Sequence, residues 1–159
     1  MDDLRWDDVS DLFDPDLMGA LPDVCVAGSS VEDWQAVFDL VVAAGWEWGY
    51  EVGGVTAPLP RAAEVLARSP EEDTVRLWVR PVDGVLVNFW PMVAEEIDFD
   101  VDLRELQGQQ GVDTLCRFLA TVGRRLGKAV VMTDEGDRRN AVLGYDPVVD
   151  AVVVLAEPR

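Results

Sequence analysis

Residues 96 to 102, EIDFDVD, set four carboxylates, Glu96, Asp98, Asp100 and Asp102, at every second position, with Ile97, Phe99 and Val101 between them. Alternation of period two marks a half-buried strand, so the acids share one face and the apolar residues the other. Acids spaced about 7 Å apart along one face suit three kinds of chemistry. They can bind a divalent cation, exchange protons with a substrate, or hold a positively charged surface. Each needs companions. As a calcium loop, Asp98, Asp100 and Asp102 fit the first three ligand positions, but Leu103 stands where the glycine belongs and Gln109 where the bidentate glutamate belongs. A phosphatase-type DxDx[TV] strand end fails at Asp102, and a nucleotidyltransferase acid pair lacks its Gly-Ser helix start upstream. No metal and no cofactor are expected from this row.

Other chemistries are excluded more directly. The chain has no histidine, which removes Ser-His and Cys-His pairs, imidazole bases and the commonest metal ligand together. Cys25 and Cys116 lie far apart with no CxxC, so zinc and thiol-redox motifs are absent, and both are expected to be small, reduced core residues. No GxxxxGK, GxSxG or GxGxxG occurs. An enzyme would have to work with carboxylates such as Glu95, Glu96 or Asp98, one of them buried in a cleft with a raised pKa. The expectation is that the protein is not an enzyme.

The charge points toward a partner. With 31 acids against 13 basic residues the net charge is −18, which repels nucleic-acid backbones and anionic membranes. A basic protein is the complementary partner, and the field would speed its approach. No apolar run approaches the roughly 20 residues of a membrane span, and the acidic start MDDLRWDDVSDLFDPD is unlike a secretory signal, so a cytoplasmic protein is expected. Lys128 is the only lysine and Ile97 the only isoleucine, a bias that fits a GC-rich bacterial genome.

The elements that would position the acids are legible in outline. The 159 residues are expected to form a single domain, 1–159, opening with an acidic segment, 1–20, in which Val9, Leu12 and Phe13 have helical spacing. DVCVAG suggests a strand. Ser30 caps a helix with Val31, Trp34, Phe38 and Val41 as its stripe, widened by Val37, Leu40 and Val42 toward full burial, and Gly45 ends it. Trp46, Trp48, Tyr50 and Val52 alternate along a strand, and this aromatic stripe is read as core in preference to an exposed recognition patch. GGVTAPLP is a connection and PRAAEVLARS a modest helix. TVRLWVRPV and VLVNFWPM form a hairpin about Asp83-Gly84, with Pro81 and Pro91 suggesting a nearby sheet edge. The acidic strand follows as the third in succession. Val112, Leu115, Cys116, Leu119, Val122 and Leu126 make an amphipathic helix over 112–126, and KAVVMT, AVLGYD and AVVVLA read as three last strands. The fold class expected is α+β, a largely antiparallel sheet packed by two main helices.

A merely solvated strand mixes polar residue types, whereas every outward position from 96 to 102 is an acid. Such a row needs neutralising, either by Arg76 and Arg80 on the adjacent hairpin strand or by a basic partner. Size, charge, order of elements and the run EIDFDVDLREL resemble the small acidic immunity proteins of bacterial polymorphic and contact-dependent toxin systems. That resemblance implies a cognate toxin, often a basic nuclease, blocked by occlusion of its active site. Glu96, Asp98, Asp100 and Asp102 are the candidate partner-binding residues by physical argument. The helix-strands-helix-strands order also looks like the acidic type III secretion chaperones, which would imply a dimer holding an extended client, although this chain ends in strands where that family ends in a helix. Monomer and homodimer both remain open.

Overall fold

Ser30 does cap a helix: its hydroxyl accepts from the Asp33 amide at 3.1 Å, opening α3, Val31–Ala43. Trp34, Val37, Phe38 and Val41 are buried, while Val42, expected inside, is 52% exposed. One face of α3 is therefore apolar and the opposite face meets water. The second main helix, α5, Gly108–Leu126, starts earlier than the apolar stripe suggested, because a short 3-10 turn at Leu103–Glu105 leads straight into it. The computed structural model describes residues 4–156, so the first three residues of the acidic segment lie outside the described residues. The rest of that segment forms three short turns of helix in place of one: α1, Trp6–Val9, a 3-10 turn at Ser10–Phe13, and α2, Pro15–Met18, capped by Asp14. A further short helix, α4, Ala62–Leu66, precedes the Asp83-Gly84 hairpin.

Among the described residues, nine strands make one antiparallel sheet. In chain order they are β1 Asp23–Ala27, β2 Glu47–Val52, β3 Val55–Ala57, β4 Val75–Val82, β5 Val85–Phe89, β6 Glu96–Val101, β7 Val130–Asp134, β8 Asp137–Asp146 and β9 Ala151–Val154. Their order across the sheet is β3-β2-β4-β5-β6-β1-β7-β8-β9. The fold is thus α+β. The Asp83-Gly84 hairpin forms, with Gly84 at φ 81°, the left-handed region that glycine adopts without steric cost. The sheet edge that Pro81 and Pro91 suggested is elsewhere: β4 and β5 are interior strands, Pro81 sits at a register shift between Val79 and Val82, and Pro91 follows the end of β5. A bulge accommodates a residue that cannot donate to the ladder. The real edges are β3, unannounced within GGVTAPLP, and β9.

Both main helices lie on one face of the sheet. Phe89 and Phe99 form its aromatic centre, with rings 4.7 Å apart. Trp34 of α3 meets Phe89, and Phe118 of α5 meets Phe89 and Phe99. The stripe after α3 is core, as expected: Tyr50 is buried, and Trp46 and Trp48 pack against the buried cluster. Close approach at the start of α5 is possible only because residue 111 is glycine, since a Cβ there would overlap the Leu106 carbonyl group. Gly111→Ala should gain about 1 kcal/mol of helix propensity yet lose more by forcing backbone apart, for a net loss of about 1–2 kcal/mol. Urea denaturation reads this as a lower midpoint at unchanged slope.

Candidate functional site

The face of the sheet opposite α3 and α5 carries no helix among the described residues. Along β4, β5 and β6, residues alternate between buried and half-buried: Leu77, Val87, Ile97, Phe99 and Val101 point to the helices, while Arg76, Trp78, Asn88, Glu96, Asp98 and Asp100 line the other side. β6 is the fifth strand of nine. Its acids therefore occupy the middle of an open face and do not guard an edge. Asp102 departs from the row. It lies just past the strand and caps the 3-10 turn, accepting from the Arg104 amide at 3.0 Å and from the Arg104 guanidinium at 2.9 and 2.8 Å. Those bonds hold its carboxyl below the usual carboxylate range.

The remaining three acids are each held by partners distant in the chain. Asp100 accepts from Trp90 Nε1 at 2.8 Å and from Asn88 Nδ2 at 3.2 Å. Glu96 accepts from the Cys25 thiol at 2.9 Å and pairs with the Arg138 guanidinium at 2.8 Å. Asp98 binds the same nitrogen of Arg138. Arg76 and Arg80, the neutralisers the sequence offered, turn elsewhere. Arg76 bonds Glu51 at 3.0 Å and Asn88 at 2.8 Å. Arg80 lies over the Trp78 ring, 5.7 Å from its centroid, and near Glu47 at 3.9 Å. Trp78 in turn covers Gly49, where any side chain would collide with the indole.

Cys25 is a correction to its reading as core. It alternates with buried Val24 and Val26 on β1, directly opposite Asp98 in register, and is half-buried on the open face. Cys116 packs against the core on the other side. Burial, followed by the Glu96 hydrogen bond and the nearby carboxylates, pushes the Cys25 thiol up to about 12. It is a donor at neutral pH and not an activated nucleophile. Burial likewise raises Asp98, from 3.8 to about 6, helped by the hydrogen bond and charge of Glu96 and opposed by Arg138. Glu96 moves the other way, lowered first by the Cys25 bond and then by that from Asp98. When acid adds the first proton to this pair, Asp98 is the carboxyl that takes it. Asp23, opposite Asp100 on β1, is also raised, by burial and then by the charges of Asp100, Glu135 and Glu96, with Arg138 lowering it.

Cys25, Glu96 and Asp98 offer ligand atoms within 4.8 Å of one another, the one such group among the described residues. A cation already sits beside them, the guanidinium of Arg138. Next to this cluster is a cleft of about 340 Å³ bounded by Cys25, Ala27, Val131, Thr133, Lys128 and Arg138.

Sequence reasoning brought together Glu96, Asp98 and Asp100 correctly as neighbours on one face and missed Cys25, Asn88, Trp90 and Arg138. The alternation Asp23-Val24-Cys25-Val26 carried a usable signal for Cys25. Nothing local in TDEGDRRN indicated where Arg138 would reach. No known protein family, curated protein or solved structure matches the chain. No described helix is long and apolar enough to cross a membrane.

Proposed function

We propose that this protein binds a basic protein through the open face of its sheet and so neutralises it, in the manner of an immunity protein occluding a bacterial toxin in the cytoplasm. One observation carries the reading: the acids sit at the centre of a wide uncovered face, beside half-buried Trp78 and Trp90, and are held in place by bonds made before any partner arrives. Aromatic anchors next to fixed charge are what a protein interface is built from. Prefixed charges lose little freedom on binding, and complementary potentials favour encounter.

The test is a pull-down from the source cells at low and moderate salt, followed by calorimetry with the purified partner. The bait is wild type beside a Glu96→Gln, Asp98→Asn, Asp100→Asn variant of confirmed fold. A basic partner held by wild type and bound about 100-fold more weakly by the variant supports the reading. Equal binding by both overturns it.

A second reading, a carboxylate enzyme, is favoured by a single feature: Asp98, with its pKa pushed up to about 6, adjoins a cleft, as a general acid would. The two readings separate at Asp100, which an acid-base pair of Asp98 and Glu96 does not require and a charged docking face does.

A further inference from the structure

We propose that Arg138 is an internal stand-in for an arginine of the partner, occupying the Glu96–Asp98 pair in the free protein and leaving it on binding. The inference rests on the basic-partner reading above and adds which residue type the face accepts and what must move.

Arg138 belongs to β8, and β6 is three strand spacings away, about 14 Å at the usual separation, too far for a side chain lying in the plane of the sheet. The register shows how the gap is closed. Thr133 pairs with Ala141 and Asp134 with Asp137, so Arg138, Arg139 and Asn140 are extra residues on β8 with no counterpart on β7. The bulge is stabilised by a hydrogen bond from Asn140 to Asp134. Bulges bend a strand and re-aim its side chains, and this one lifts Arg138 over the open face and across β7 and β1. All of Asp137 to Asn140 is exposed, so little packing holds the bulge down.

One guanidinium nitrogen serves both carboxylates, and the Arg138 side chain is still 53% exposed. Exposed ion pairs contribute little to stability, so exchange for another guanidinium is easy. A planar, weakly hydrated guanidinium suits two fixed carboxylates better than a strongly hydrated ammonium. The adjoining cleft has Cys25, Ala27, Val131 and Thr133 in its lining and Arg138 as one wall. Displacement of Arg138 widens it, giving a seat for an apolar residue beside the incoming arginine.

The test compares binding of a nine-residue arginine peptide and a nine-residue lysine peptide to four proteins at fixed ionic strength: wild type, Arg138→Ala, Arg138→Gln and Arg139→Ala. Arg139 is the control, because its side chain is 96% exposed and pairs only locally with Asp137 at 3.6 Å. Its removal changes net charge by the same amount. Both Arg138 variants should bind the arginine peptide about 5–10-fold more tightly than wild type, with a smaller gain for lysine, while Arg139→Ala stays within about twofold. Adding Asp98→Asn to Arg138→Ala should erase the gain. Equal gains from Arg138→Ala and Arg139→Ala would reduce the effect to net charge and overturn the stand-in, leaving the basic-partner reading intact. If wild type and the Glu96, Asp98, Asp100 triple variant bind the arginine peptide alike, the basic-partner reading fails as well.

Discussion

Phe118→Ala is expected to destabilise the protein by about 3–5 kcal/mol, a large part of the 5–15 kcal/mol typical of a whole domain. Phe118 is almost fully buried, and its ring lies 5.4 Å from Trp46, 5.6 Å from Phe99 and 6.1 Å from Phe89. It joins α5, the two central strands and the segment after α3 at one point. Truncation loses the transfer energy of the ring and leaves a cavity among aromatic groups that cannot collapse without moving a strand. Asp100→Asn, one residue along β6 from Phe99 but on the opposite face, should change stability far less. Urea denaturation followed by tryptophan fluorescence separates the two. A loss below about 1.5 kcal/mol for Phe118→Ala would mean that the aromatic cluster is not the centre of the core.

Stability should also fall as pH rises from about 4 to about 6, through Asp98. Its carboxyl titrates near 6 in the folded protein and near the ordinary 3.8 when unfolded. Between those values the folded protein holds a proton that the unfolded chain has released. The stabilisation is fully present below the unfolded value and is lost as pH passes the folded one, opposite in sign to a salt-bridged aspartate. Glu96 shifts downward and so contributes in the ordinary direction, as stability lost when acid protonates it. The groups facing Asp98 are Cys25 from β1, Glu96 from its own strand and Arg138 from β8. Asp98→Asn removes the titration, so the gap between variant and wild type should move in the variant's favour between pH 4.5 and 7.5, by on the order of 2 kcal/mol. Parallel pH profiles for the two proteins would contradict the assignment.

What could be read in advance follows the range of the forces involved. The alternation of β6, the Asp83-Gly84 turn, the Ser30 cap and the apolar stripe of α5 are patterns within one element, and each appeared where expected. β3 has three residues and no period to read. The neighbour of β6 across the sheet, β1, was illegible because pairing between strands so far apart is settled by how the whole core fits, not by either strand alone. The site divides the same way. Glu96, Asp98 and Asp100 share a face because they share a strand. Asp102 left the row because the residues after it favour a turn that its side chain can cap. The real neutraliser, Arg138, is placed by three extra residues near the start of β8, which no pattern within TDEGDRRN signals. Arg76 and Arg80 were nearer in sequence but found Glu51 and Glu47 opposite them on β2.

The place of β1 between β6 and β7 sets the order in which the molecule can be assembled. Of the nine described strands β1 is synthesised before the others, yet Cys25 and its neighbour Glu96 are 71 residues apart, and β7 comes later still. A nascent chain therefore emerges with Val24 and Val26 unpaired on both sides while the meander from β2 to β6 is still being made. Closing so long a loop is slow and leaves an apolar strand open to wrong partners meanwhile. The like charge of the aspartates that precede that strand opposes association between such chains.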